Sequence, residues 1–289
     1  MKEDIFRDKT TQLLFEKDGY VKLQLLEEKE VEALREFYLS TFPDQLNSFF
    51  SSSYLNDYDL KLKVSNKISE IIRDKIEEKF HNTRLIGAAF LIKGLGKNSE
   101  MPMHQDWTIV DESKFYAANV WIPLTDTNES NGTIEVLKGS QKWSHSLRAP
   151  SLPFFFEGFQ EEIKKSLTPI NVKMGEVVVL NQAVIHYSKA NMTDQVRPAV
   201  TCGLTSTGAP LRFHYKDPEK ENQIELFEQE DDFLLRWENF HEAIYKRPPM
   251  GKSIGFQSYI HPSLSQKELD ELVGNPRKKG SFLSRIFGK

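Results

Sequence analysis

Apolar positions recur along the chain with two different periods. Over residues 5–16, 26–42 and 61–80 they return every three to four residues, as one face of a helix requires. Val31, Leu34, Phe37 and Tyr38 mark the second segment, and Val64, Ile68, Ile71, Ile72 and Ile76 form one stripe in the third. Between the first two, Asp18-Gly19 signals a turn and the alternation that follows predicts a short strand. From about residue 83 to about residue 206 the period falls to two, through "RLIGAAFLIK", "FYAANVWIPL", "GTIEVL", "INV", "GEVVVLNQAVIHYS" and "RPAVTCGLTS". Few of the connections can hold a crossover helix, so these runs predict an all-β sandwich or barrel, not a parallel βαβ sheet. Helical spacing returns over residues 231–246, with Phe233, Trp237, Phe240 and Ile244 on one face. Ser265 and Glu268 form a capping-box pattern ahead of a short last helix.

The 13 prolines and 15 glycines are scattered, and no linker-like stretch divides the 289 residues. One domain is expected: a helical part over about 1–80, a β core over about 83–206, and a strand and helical extension over about 207–289. With 38 Lys+Arg against 42 Asp+Glu, a net charge of −4 gives no electrostatic case for nucleic acid. The single cysteine, Cys202, excludes an intramolecular disulfide and a cysteine-based zinc knuckle, and reads as an inert core thiol. The amino terminus is charged from its second residue, and no stretch approaches the roughly 20 apolar residues of a membrane span. A cytoplasmic protein without a membrane partner is expected. The basic "NPRKKGSFLSRIFGK" at the end reads as a frayed tail.

Candidate chemistry begins at "PMHQDWTIV". On a strand, residues i and i+2 share a face, so His104 and Asp106 can present an imidazole and a carboxylate to one point. Alone, the pair is better read as a satisfied core pair or a surface accident, since a chance His-x-Asp is common. A second stretch, "GEVVVLNQAVIHYSKANMTDQVRPAV", adds His186, Ser188 and Arg197. Folded as a simple hairpin about Asn191 and Met192, it places His186 directly opposite Arg197. Two histidines and one carboxylate leave three positions on a metal open, the arrangement of non-haem Fe(II) oxygenases. A bidentate 2-oxo acid fills two of these and dioxygen the third. The acid's far carboxylate suits a guanidinium fork, which Arg197 with Ser188 supplies.

With "HQD" at 104–106, "NGTIEVLKGSQKW" at 131–143, "GEVVVLNQAVIHYSKANMTDQVRPAV" at 175–200 and the earlier "FEKDGYVKLQLL", the chain resembles the phytanoyl-CoA dioxygenase-like branch of the Fe(II)/2-oxoglutarate-dependent oxygenases. The resemblance implies a double-stranded β-helix (jelly-roll) core. It implies Fe(II) held by His104, Asp106 and His186, and 2-oxoglutarate held by Arg197 and Ser188. It departs from the family at Lys138, where a proline is common, and at Gln141, where a histidine is common. The implied activity is dioxygen-dependent hydroxylation of an unactivated C–H bond in a small molecule, with release of succinate and carbon dioxide. Because Asp106 is present, no ligand position is vacated for a halide, which favours hydroxylation over halogenation, while desaturation, epoxidation and ring closure by the same oxidant stay open. The rival readings are a jelly-roll that binds a metal or ligand without turnover, and an oxygenase acting on a protein side chain.

Several neighbours are open to two readings. Lys93, on the strand before the His-x-Asp, fits a contact to co-substrate or substrate, or a solvated lysine. Trp121 and Asn119, two apart, fit a pocket wall or ordinary core, as does Trp107. The run "LPFFFEGF" at 152–159 reads as a lid or as a plug at one end of the barrel. His81, His145, His214, His241 and His261 have no ligand-like spacing and read as structural.

Overall fold

The computed structural model describes residues 2–44, 47–143 and 146–274. The amino-terminal part runs α1 (Lys9–Asp18), β1 (Tyr20–Gln24), α2 (Glu28–Thr41), β2 (Phe49–Ser51) and α3 (Tyr58–Lys79). The β-rich block follows as β3 (Thr83–Lys93), β4 (Met101–His104), β5 (Ala117–Pro123), β6 (Glu135–Val136), α4 (Gln160–Lys164), β7 (Thr168–Pro169), β8 (Glu176–Asn181), β9 (His186–Ser188) and β10 (Arg197–Ser206). The extension carries β11 (Leu211–Tyr215), β12 (Gln223–Gln229), α5 (Phe240–Ala243), β13 (Lys252–Ser258) and α6 (Gln266–Gly274).

Two sheets face each other as a jelly-roll, open at its edges. The larger has the order β1-β8-β5-β10-β3-β2 and the smaller β4-β9-β6-β7, with every strand pair antiparallel. Alternation on the large sheet divides two cores. Val177, Val179, Val120, Ile122, Val200, Cys202, Phe90 and Ile92 pack on the helices against Val31, Leu34, Val64, Ile68 and Ile72. Val178, Leu180, Trp121 and Ala199 point the other way, toward Val136 and Val184 of the small-sheet side. Each fully buried isoleucine of α3 contributes roughly 1.5–3 kcal/mol by leaving water. The large sheet is thereby fixed on a helical backing, and its inner face is free to build a site.

The helices at 26–42 and 61–80 form as expected, as α2 and α3. The first helix is shifted: Asp8 accepts from the Thr11 amide as N-cap, so Ile5 and Phe6 stay extended. Their amides donate to Gln12 Oε1 at 3.0 and 3.2 Å, and Phe6 bridges Phe80. The expected helix over 231–246 is broken. Only a 3-10 turn at Phe233–Leu235 and the short α5 form, because Asn239 adopts a left-handed φ of 47°. The Trp237 carbonyl accepts from the buried Lys61 Nζ at 2.6 Å, so its bond runs to α3 instead of along a helix. Ser265 and Glu268 do form the capping box: the Ser265 amide donates to Glu268 Oε2 and the Glu268 amide to Ser265 Oγ. No helix among the described residues is long and apolar enough to cross a membrane. The tail expected to fray, from residue 275 on, lies outside the described residues, as does His145.

The largest departure lies in "GEVVVLNQAVIHYS", which is two strands in two sheets. β8 ends at Asn181, and the chain turns through Gln182 and Ala183, with the Ala183 amide donating to Asn181 Oδ1 at 2.9 Å. The Ile185 amide then donates to Ser140 Oγ at 2.8 Å, and the chain enters the small sheet as β9. Residues 189–196 carry it back to the large sheet. That passage is anchored on fully buried Asn191, whose amide donates to Ser99 Oγ at 2.8 Å and whose Nδ2 donates to the Lys93 and Gln195 carbonyls. His186 and Arg197 are therefore not hairpin partners, as the simple register predicted.

Candidate metal centre

β4 ends on His104 and β9 begins on His186, and these two residues are register partners across the small sheet. Their ring centroids are 4.2 Å apart, tilted by 52°. Asp106 follows on irregular backbone, and one ligand atom from each of His104, Asp106 and His186 lies within 4.8 Å of the others. Both rings are aimed in the same way. His104 Nδ1 meets the Pro102 carbonyl at 2.7 Å, and His186 Nδ1 meets the Val184 carbonyl at 3.0 Å. A carbonyl two residues upstream holds the proton on Nδ1 in each, which leaves Nε2 with its lone pair free for a metal. Burial and the neighbouring His186 hold His104 below the usual imidazole range, with Asp106 opposing, so the neutral, metal-binding form is favoured. His104 Nε2 and Asp106 Oδ1 are 3.8 Å apart, too far for a hydrogen bond, so the satisfied core pair is not what the geometry contains.

Arg197 and Lys93 enter from the large sheet, where they are register partners. Arg197 is buried, its guanidinium carbon lies 5.3 Å from the Trp121 ring centroid, and its Nε and Nη1 have no hydrogen-bond acceptor. Burial pulls the guanidinium down to about 9. A buried cation with open donors is costly unless an anion completes it, so the position fits an incoming carboxylate. Lys93 Nζ donates to the carbonyls of Ser99, Ser188 and Lys189 at 2.6, 3.1 and 2.7 Å. Burial and Arg197 lower it to about 7. Its three hydrogens all meet main chain, which ties the end of β9 to β3. Lys93 is thus fully buried and not a solvated lysine. Ser188 is buried two residues beyond His186, on the same face of β9.

Residues 15–199 match the family model described as phytanoyl-CoA dioxygenase (PhyH). The chain belongs to this family. A phytanoyl-CoA dioxygenase domain-containing protein 1 homolog from Dictyostelium discoideum is 24% identical over 226 residues, covering 68% of this chain and 80% of that protein. Its counterpart from Danio rerio is 27% identical over 128 residues, and there the match spans 42% of this chain and 44% of the relative. Among solved structures, HygX from Streptomyces hygroscopicus with nickel and 2-oxoglutarate bound superposes with a TM-score of 0.50 at 16% identity, over 70% of this chain and 88% of that one. This likeness concerns the fold.

In this PhyH-family chain, Gln141, at a position where the family often has histidine, donates from Nε2 to the Glu16 carbonyl at 2.9 Å and ties α1 to the turn after β6. Asn119 does face inward: its Nδ2 donates to Asp106 Oδ2 at 3.3 Å, and Thr201 Oγ1 donates to Asn119 Oδ1, so the large sheet steadies the carboxylate. Trp107 turns the other way, into a cluster with Phe213, Trp237 and Phe240, stacked on Phe240 at 6.1 Å and 8°. "LPFFFEGF" packs behind the small sheet. Phe155 and Phe156 meet Met103, Ile185 and Tyr187, the residues alternating with the two histidines, together with Leu269 and Leu272 of α6. It therefore backs the small sheet, where the sequence predicts a lid over the site or a plug at one end of the barrel. Cys202 is buried, and burial pushes its thiol up to about 12.

Two supporting residues carry no sequence signal. Arg148, buried and 42 positions from Asp106, donates from Nε to the Asp106 carbonyl at 2.8 Å. His214, read as structural, is buried on β11 with Nδ1 3.1 Å from the Thr108 carbonyl. His241 packs on the Tyr54 ring and His261 on Tyr259.

Proposed function

We propose that this chain is an Fe(II)- and 2-oxoglutarate-dependent dioxygenase that hydroxylates an unactivated C–H bond of a small-molecule metabolite in the cytoplasm. The observation that carries the reading is the pairing of two unlike demands across the sheets. Two Nε2 lone pairs and a carboxylate converge on the small sheet, while a buried guanidinium with unmet donors waits on the large one.

In this reading His104, Asp106 and His186 would hold the iron, and two histidines with one carboxylate are the donor set suited to it. With 2-oxoglutarate and dioxygen bound, the iron supplies oxidising power through decarboxylation of the acid to succinate and carbon dioxide. Arg197 holds the acid's far carboxylate by charge-assisted hydrogen bonds, and the Ser188 hydroxyl adds a neutral one. Trp121 lies against the guanidinium and restricts its rotation. Lys93 serves the co-substrate through the main chain of Ser188 and Lys189. Asn119 limits the rotation of the Asp106 carboxylate. With Asp106 filling its ligand position, hydroxylation fits the donor set and halogenation does not.

The test is succinate release by the Fe(II)-loaded protein, screened against free amino acids, acyl-CoAs and small polar metabolites. Stimulation above the uncoupled background by one class, with a product heavier by one oxygen, supports the reading. Absence of 2-oxoglutarate consumption in the loaded protein refutes it.

A further inference from the structure

Asp106 lies beyond the last paired residue of β4, so no ladder hydrogen bond fixes the peptide that carries the carboxylate. Irregular backbone beside a metal ligand must be held by something else, since a carboxylate misplaced by about an ångström loses much of its value. We propose that Arg148 is the positioning residue for the Asp106 carboxylate, acting through main chain without touching the metal; the proposal rests on the metal reading above.

Arg148 is 5% exposed and spends its donors on one short region. Nε donates to the Asp106 carbonyl at 2.8 Å. Nη1 donates to Glu112 Oε2 at 3.0 Å and to the Ser146 carbonyl at 3.1 Å, and Nη2 donates to Glu112 Oε1. Its backbone joins the same clamp: the Arg148 amide donates to Thr108 Oγ1 at 3.0 Å, and the Thr108 amide donates to the Arg148 carbonyl at 2.9 Å. Residues 106, 108 and 112 are thus fastened to the side chain and backbone of one residue. The bidentate pair with Glu112 fixes the plane of the guanidinium, and the planar fork carries that orientation to Nε. A lysine keeps the charge at this site and cannot bond Asp106, Ser146 and Glu112 in the same plane.

The consequence is a separation of metal affinity from fold. Partners of metal ligands that lie outside the coordination shell change affinity by roughly 10–100-fold when replaced. Arg148→Lys is expected to weaken Mn(II) binding to the full-length protein by about tenfold or more, measured by calorimetric titration, with its unfolding transition still cooperative. Glu112→Gln leaves Arg148 in place and removes one charged acceptor, and is expected to fall between wild type and Arg148→Lys. Wild-type Mn(II) affinity in a cooperatively folded Arg148→Lys protein overturns the proposal. If Arg148→Lys does not fold, Glu112→Gln decides: weakened Mn(II) binding supports the clamp, and unchanged binding overturns it. Failure of the wild-type protein to bind Mn(II), or binding that survives Asp106→Ala, counts instead against the metal reading.

Discussion

His186 and Arg197 are eleven residues apart in the chain and belong to opposite sheets, His186 paired with His104 and Val136, Arg197 with Lys93. The two histidine donors and the guanidinium are therefore held by separate hydrogen-bond ladders. Replacing one set should leave the geometry of the other intact. Arg197→Ala is expected to keep Mn(II) affinity within about threefold of wild type while weakening 2-oxoglutarate binding by about 10–100-fold, the worth of a hydrogen bond between charged groups. Parallel titrations with each ligand check this. Equal losses for both would mean that the two layers are coupled.

The three metal donors are expected to act as a unit. In His104→Ala, Asp106→Ala and His186→Ala, the rise in thermal midpoint that Mn(II) gives the wild-type protein should disappear, since a ligand stabilises only the state that binds it. A variant that still responds to Mn(II) removes its residue from the centre.

Gly132 closes the short 3-10 turn before β6 at φ +74°. A Cβ there would meet the Lys189 carbonyl oxygen and come within 2.9 Å of Lys93 Cδ. Gly132→Ala should cost about 2 kcal/mol or more, adding a clash to the left-handed backbone penalty. Gly158, also left-handed at φ +88° but with nothing within 4 Å, should cost only the backbone part in Gly158→Ala. Urea midpoints of the two variants give the comparison.

His214 sets an acid limit on stability. Burial holds its imidazole down to about 4, below the usual 6.5. Between those values the unfolded chain binds more protons than the native state, so stability is full above pH 6.5 and falls as the pH drops through the window. The group should account for about 2 kcal/mol of the loss between pH 7.5 and pH 5. His214→Gln, which keeps a donor for the Thr108 carbonyl and does not titrate, should lose correspondingly less over the same interval. An unchanged pH slope in urea unfolding would remove His214 from this role.

The sequence by itself determined the class of each layer and the chemistry of the donors. Period-two alternation in residues 83–206 made a sandwich or barrel the economical fold, and the stripe Val64-Ile68-Ile72-Ile76 made α3 its backing. The spacing of His104 and Asp106, two apart, offered convergence on an extended chain, but β4 ends at His104 and Asp106 follows on irregular backbone. What the sequence did not contain was the corner at residues 182–185. The alternation of "GEVVVLNQAVIHYS" is the same whether it runs in one sheet or changes sheets, because period two records which residues are buried and not which strand is alongside. Only the tertiary contacts, Ile185 on Ser140 and Asn191 beneath Ser99, decide that β9 leaves the large sheet and turns His186 to face His104. The helix expected over 231–246 fails for a related reason: its apolar stripe is real, but the bond from Lys61 to the Trp237 carbonyl competes with helix continuation. Arg148 was invisible for the same physical cause. A hydrogen bond to the main chain of a residue 42 positions away leaves no local pattern, so the peptide beneath Asp106 is a product of the fold and not of the motif.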